Sequence, residues 1–174
     1  LRGRDDSVLS ICAKDNKGYV YVHDVIELSA AENRDFDQQC KEVIDACDRY
    51  KIGHVFLEEN FSMTLKTELN RKAQEMKKKI VIMSEFSNRN KLNFMAQQLE
   101  PIIKVGKMKV HERVKENSSF MAQLEEFPYN KMDDCIDSVS MALAKLPEPA
   151  VDVSRIPLIK SPIQFAGQQS NLTR

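Results

Sequence analysis

The stretch Lys131-Met-Asp-Asp-Cys-Ile-Asp-Ser-Val-Ser-Met-Ala-Leu-Ala144 decides how the rest of the chain is read. Three carboxylates, Asp133, Asp134 and Asp137, open it. Ile136, Val139, Met141, Ala142 and Leu143 follow at roughly helical spacing, which predicts a short amphipathic helix. On that helix Asp134 and Asp137, three apart, or Asp133 and Asp137, four apart, share a face. Acids crowded on one face repel each other, and a hard divalent cation such as Mg²⁺ or Mn²⁺ would relieve the repulsion. The same residues also suit plain helix capping, because a carboxylate at a helix start accepts from free N–H groups and meets the positive end of the helix dipole. The stretch alone leaves both readings open.

The 174 residues fit one ordinary domain, and 42% hydrophobic against 30% charged residues can build a core and a wet surface. Basic and acidic residues balance at 26 each, so any nucleic-acid contact has to come from a local patch and not from net charge. Cys12, Cys40, Cys47 and Cys135 show no C-x-x-C spacing and read as reduced core thiols of a cytosolic protein. A zinc site is not expected, since His23, His54 and His111 lack ligand spacing to them. No apolar run nears the ~18 residues a membrane span needs, and no signal peptide is visible. The chain opens on Leu1 without an initiator Met, inside what reads as a loop, as an excised or partial domain would.

Around this stretch the pattern alternates. Ser7–Ala13 and Tyr19–Leu28 read as two strands joined by the Asp15-Asn-Lys-Gly18 turn, a hairpin. Ser29 with Glu32 forms a capping box for a helix to about Tyr50, with Phe36, Cys40, Val43, Ile44 and Cys47 inward. His54–Asn60 reads as a buried strand ending in two acids. Ser62 or Thr64 opens a helix to about Lys78, with Leu65, Leu69, Ala73 and Met76 inward. Ile80–Met83 is another buried strand. Asn88 or Asn90 opens a helix with Leu92, Met95, Leu99, Ile102 and Ile103 on one face, kinked or broken by Pro101 and ended by Gly106. Lys107–His111 suggests an edge strand and Ser118–Glu126 a short helix stopped by Phe127-Pro128. A hairpin followed by strand–helix alternation means an α/β fold, a mixed sheet flanked by helices. Residues 1–146 form this domain, and 147–174, with Pro147, Pro149, Pro157 and Pro162, read as an extended or disordered tail.

Glu58 stands at the carboxyl end of a strand, where open α/β sheets place their sites, although strands often end in acids simply because a solvated loop follows. If the 131–144 helix packs beside that strand, Glu58 joins Asp134 and Asp137. A strand-borne and a helix-borne acid are the ingredients of a two-metal phosphodiester site. Basic residues are local: Arg71, Lys72, Lys77, Lys78 and Lys79, then Arg89, Lys91, Lys104, Lys107, Lys109, Arg113 and Lys115. Such runs form a solvated face by default and a DNA-backbone track in the sharper reading, in which Lys91, with Arg89, is the first choice. No G-x-S-x-G, Walker A or G-x-G-x-x-G pattern occurs, so these residues alone make no ATPase.

Several stretches together resemble the C-terminal nuclease domain of the large terminase subunit of tailed bacteriophages. Gly3-Arg-Asp-Asp-Ser-Val-Leu9 resembles the end of the family's first motif, and Phe56-Leu-Glu-Glu-Asn60 its strand-end Glu-x-Asn. Asn90-Lys-Leu-Asn-Phe-Met95 resembles the lysine that opens the next helix. Gln123-Leu-Glu-Glu-Phe-Pro128 and Met132-Asp-Asp-Cys-Ile-Asp-Ser138 resemble its E-x-F-P and D-D-x-x-D-A ending, with Ser138 for the usual Ala. The likeness spans about residues 3–145. It implies a ribonuclease-H-like mixed sheet and a metal-dependent endonuclease that cuts concatemeric double-stranded DNA during packaging, in the cytoplasm of the infected bacterial host and away from any membrane. It implies two Mg²⁺ or Mn²⁺ on Glu58, Asp134 and Asp137, with Asp133, Asp5 and Asp6 as further candidates. It implies an upstream ATPase domain of the same protein as a partner, with the portal and small terminase subunit beside it. The family's remaining carboxylate ends a first, central strand, which here would lie upstream of Leu1 and leave this fragment a weak nuclease. The rival readings are a ribonuclease-H-like junction resolvase and a non-catalytic packaging-motor docking module.

Overall fold

A computed structural model describes residues 7–28, 35–58, 64–86, 88–129 and 131–147. Asp5 and Asp6, the Ser29/Glu32 capping box, Glu59, Asn60, Ser62 and the tail from 148 lie outside the described residues. The hairpin forms as expected: β1 (Val8–Lys14) pairs antiparallel with β2 (Val20–Glu27). Its turn is tied by the Asp15 carboxylate, which accepts from the N–H groups of Lys17 at 2.9 Å and Tyr19 at 2.8 Å, while Gly18 takes φ 79°.

The simple alternation expected along β2 breaks at His23. The register steps from Ile11↔Asp24 to Cys12↔Val22, leaving His23 as the extra residue of a bulge. An inserted residue turns the following side chains to the other face. Val20 and Val22 before it and Val25 after it therefore share one core cluster, while Ile26 and Leu28 pack in the other.

The remaining elements follow in order. They are α1 (Phe36–Tyr50), β3 (His54–Glu58), α2 (Thr64–Glu75), β4 (Val81–Glu85), α3 (Lys91–Lys104), β5 (Met108–Val110), α4 (Glu112–Lys115), α5 (Ser118–Glu126) and α6 (Asp134–Lys145). The described α1 starts at Phe36, not Ser29: Asp35 caps it by accepting from the Gln38 N–H at 2.8 Å. Phe36, at the very start of this helix, is exposed. Asn90 caps α3 and accepts from Asn93 N–H. That helix runs through Pro101 to Lys104 without a break, and buries Met95 and Leu99 while Leu92 and Ile103 stay exposed. The four-residue α4 has no counterpart in the sequence pattern.

One core cluster lies between the hairpin and helices α3, α5 and α6, centred on Val22, Leu99, Phe120, Ile136 and Val139. The other joins α1 and α2 to β3 and β4 through Ile44, Leu69, Val55 and Ile82. The strands divide the same way. β1, β2 and β5 form a mixed sheet, with β5 parallel to β2, and β3 pairs parallel with β4 in a separate two-stranded sheet. β3 and β4 are less buried than their apolar runs suggest: Phe56 and Val81 are exposed, because a two-stranded sheet covers little of either strand. β1 and β3 do not hydrogen-bond. A groove of about 490 Å³ separates them, lined by Leu9, Ile11, Val55, Leu57, Leu69 and Met141 among others, and Asp134 and Asp137 stand on it.

Candidate functional site

At the start of α6 one of the three carboxylates, Asp133, is not the cap. Asp133, at the N-cap, makes no side-chain cap hydrogen bond. The cap is supplied from outside the helix: Gln123 Oε1, on α5, accepts from Cys135 N–H at 2.9 Å and Ile136 N–H at 3.3 Å. Gln123 is buried, and so are the two residues it caps. A neutral amide thus satisfies the helix start, and the carboxylate of Asp133 turns to Lys91. Sequence reasoning missed this role of Gln123. The signal was available, since a polar residue in an otherwise apolar helix face asks for a buried partner.

Strand β3 ends at Glu58, and its parallel partner β4 ends level with it at Glu85. Helix α3 begins at Lys91, one residue after its cap, and packs against α6. These three junctions bring the predicted residues together. Lys91 Nζ lies 2.7 Å from Asp133 Oδ1, 3.4 Å from Asp137 Oδ2 and 3.7 Å from Asp134 Oδ1. Arg89 Nη2 donates to Glu58 Oε2 at 3.0 Å and stands 3.8 Å from Asp137 Oδ1. The Arg89 guanidinium also stacks 3.7 Å from the centre of the Phe94 ring. Ser138 Oγ donates to Val8 O at 3.2 Å, so β1 begins beside the acid-bearing start of α6, near which β3 also ends. Glu85, the other strand-end acid, pairs with Lys145 and also feels the Arg89 charge, both of which hold its carboxyl below the usual range.

The electrostatics follow from depth. Burial pushes the Asp137 carboxyl above its usual range; the nearby Lys91 charge opposes this and Glu58 adds to it. Burial pulls the Lys91 ammonium down, yet its bond to Asp133 and the charges of Asp137 and Asp133 leave it above its ordinary value. The difference matches the geometry: Lys91 hydrogen-bonds Asp133, 32% exposed, and only approaches Asp137, 17% exposed. Asp137 Oδ1 and Arg89 Nε are both buried without a hydrogen-bond partner. Among the described residues no three His, Cys, Asp or Glu side chains converge closely enough to hold a metal ion. The carboxylates meet through Arg89 and Lys91 instead of directly.

The expected basic track is divided. On α2, Arg71 pairs with Asp37, Glu68 and Glu75, and Lys72 with Asp37 and Glu75. Lys78, just beyond α2, pairs with Asp48. This part of the run is a salt-bridged surface. Arg89 and Lys91 alone among the predicted cations stand against the site acids.

A protein-family model described as terminase of bacteriophage T7, ribonuclease H-like domain, matches residues 2–108. The chain belongs to this family. It is a phage terminase nuclease-type domain, and its fold is the ribonuclease-H-like α/β arrangement that the mixed sheet and flanking helices display. The matched span carries Glu58, Arg89 and Lys91, while Asp133, Asp134 and Asp137 lie beyond it. Among curated proteins none matches the chain. No helix among the described residues is long and apolar enough to cross a membrane.

Proposed function

We propose that this terminase domain hydrolyses phosphodiester bonds of concatemeric double-stranded DNA, with Glu58, Asp134 and Asp137 holding Mg²⁺ or Mn²⁺ and Asp133 on the rim. The observation that carries the reading is the meeting of strand-end Glu58 and helix-borne Asp137 at one guanidinium. The chemistry of the donor set suits hard divalent cations: three carboxylates, now bridged by Arg89 and Lys91, one of them with a buried oxygen that lacks a partner. When bound, the ions supply activation of water and stabilisation of the leaving oxygen. The chain's own part is to hold the carboxylates on a fixed strand end and a fixed helix start. Lys91, 43% exposed at the mouth, is placed to meet a DNA phosphate.

The reading extends to the strand that the terminase resemblance puts upstream of Leu1. A strand pairing antiparallel to β1 in the groove would end where β1 begins, beside the start of α6. It would finish beside Glu58 and Asp137, where a further carboxylate would complete the site. The ATPase domain, portal and small terminase subunit are the partners of this reading, in the cytoplasm of the infected host. Plasmid nicking in Mn²⁺ by the chain carrying roughly 10–15 upstream residues, about one strand and its turn, tests it. Asp134→Asn is expected to abolish nicking while leaving the fold. Nicking at the unsubstituted rate overturns the assignment.

A further inference from the structure

Four carboxylates, Glu58, Asp133, Asp134 and Asp137, share two cations, Arg89 and Lys91, and the two cations are held differently. Lys91 stands at the mouth, with Asp133 as its hydrogen-bond partner. Arg89 is deeper, between the strand-end and the helix-borne acid, and it is poorly satisfied there. It gives Glu58 a single N–H, reaches Asp137 only at 3.8 Å, and leaves its own Nε and the facing Asp137 Oδ1 without hydrogen bonds. A guanidinium carries five N–H donors in a rigid fork made for two-point contact with a carboxylate. Here that fork is spread over two carboxylates and matches neither. Its face meanwhile rests on Phe94, one turn into α3, which keeps the side chain packed whichever acid its edge addresses.

We propose that Arg89 is the resident counter-cation of this site: it neutralises Glu58 and Asp137 until a divalent cation arrives, and then gives up Glu58 while staying on Phe94. This rests on the metal reading above and adds a competition that the reading does not contain. Arg89 lowers the affinity for metal, and in return the acids are not left facing each other uncompensated. The exchange also frees a guanidinium at the moment the site becomes able to act on a phosphate.

The test is Mn²⁺ binding to the full chain without DNA, by calorimetry and by the electron paramagnetic resonance of free Mn²⁺. Arg89→Gln is expected to bind Mn²⁺ about tenfold more tightly, a change of about 1.4 kcal/mol. Asp137→Asn is expected to lose binding. A second measurement uses the unsubstituted protein: the ¹⁵N resonance of Arg89 Nε is expected to shift on titration with Mg²⁺. If Mn²⁺ binds in an Asp137-dependent way but Arg89→Gln binds no tighter, or the Nε signal stays put at saturating Mg²⁺, the role of Arg89 is overturned and the metal reading stands. If neither the unsubstituted chain nor Arg89→Gln takes up Mn²⁺, the metal reading fails and this inference falls with it.

Discussion

Replacing Gln123 by Met keeps the side chain's length and bulk and removes the acceptor that caps α6. The two N–H groups it leaves belong to Cys135 and Ile136, 1% and 0% exposed, so water has no ready access to them. A buried donor without a partner costs about 1–3 kcal/mol. The 2.9 Å bond stands near the upper end of that range and the 3.3 Å bond near the lower. Part is offset because Met no longer has to desolvate an amide. The expected net loss is about 2–4 kcal/mol, or roughly 6–12 °C in Tm for a domain of this size. Asp133→Ala is the contrast. Its carboxylate caps nothing and serves one partly exposed pair with Lys91, worth up to about 1 kcal/mol. Urea unfolding followed by circular dichroism at 222 nm, with a shared slope for both variants, gives the two values. A Gln123→Met loss below about 1 kcal/mol, or an Asp133→Ala loss exceeding it, would show that the carboxylate and not the amide secures the helix start.

Two further outcomes follow. Lys91→Ala is expected to weaken DNA binding about equally for all sequences and to flatten its salt dependence, whereas Arg71→Ala leaves affinity unchanged because its charge is already shared by Asp37, Glu68 and Glu75. Fluorescence anisotropy over a salt series checks this, and an Arg71 effect equal to that of Lys91 refutes it. Burial raises the Cys40 thiol and pushes the Cys47 thiol up to about 11. Both remain protonated at pH 8 in the fold, so iodoacetamide is expected to spare them in native protein and to label them rapidly in guanidinium; rapid native labelling would refute the burial argument.

The hairpin was legible because its turn is local: Asp15 and Gly18 hold the chemistry within four residues. Helix stripes such as Cys40–Ile44–Cys47 were legible for the same reason, being periodic. Contacts set by packing between distant segments were not. His23 looks like any alternating residue, yet it is the bulge that turns Val25 back to the same core as Val22. Arg71 and Lys72 look like a free basic patch until α1 brings Asp37 against them. At the site, Glu58, Asp134, Asp137 and Lys91 were visible as strand-end and helix-start residues. The cap from Gln123 and the stacking of Arg89 on Phe94 depend on how α5 and α3 dock, which no spacing encodes.

The groove between β1 and β3 leaves a readable mark on the backbone. Along a paired strand alternate N–H groups point toward the partner and the others away from it. Every second amide of β1 is turned from β2, and likewise every second amide of β3 from β4, whereas Val20–Val22 of β2 lie between two ladders. In deuterated solvent the alternate amides facing the groove exchange early if it holds only water, and late once an extended segment pairs with both edges. β1 and β3 thereby act as a gauge of occupancy, read one amide in two, with no label and no enzymatic turnover required.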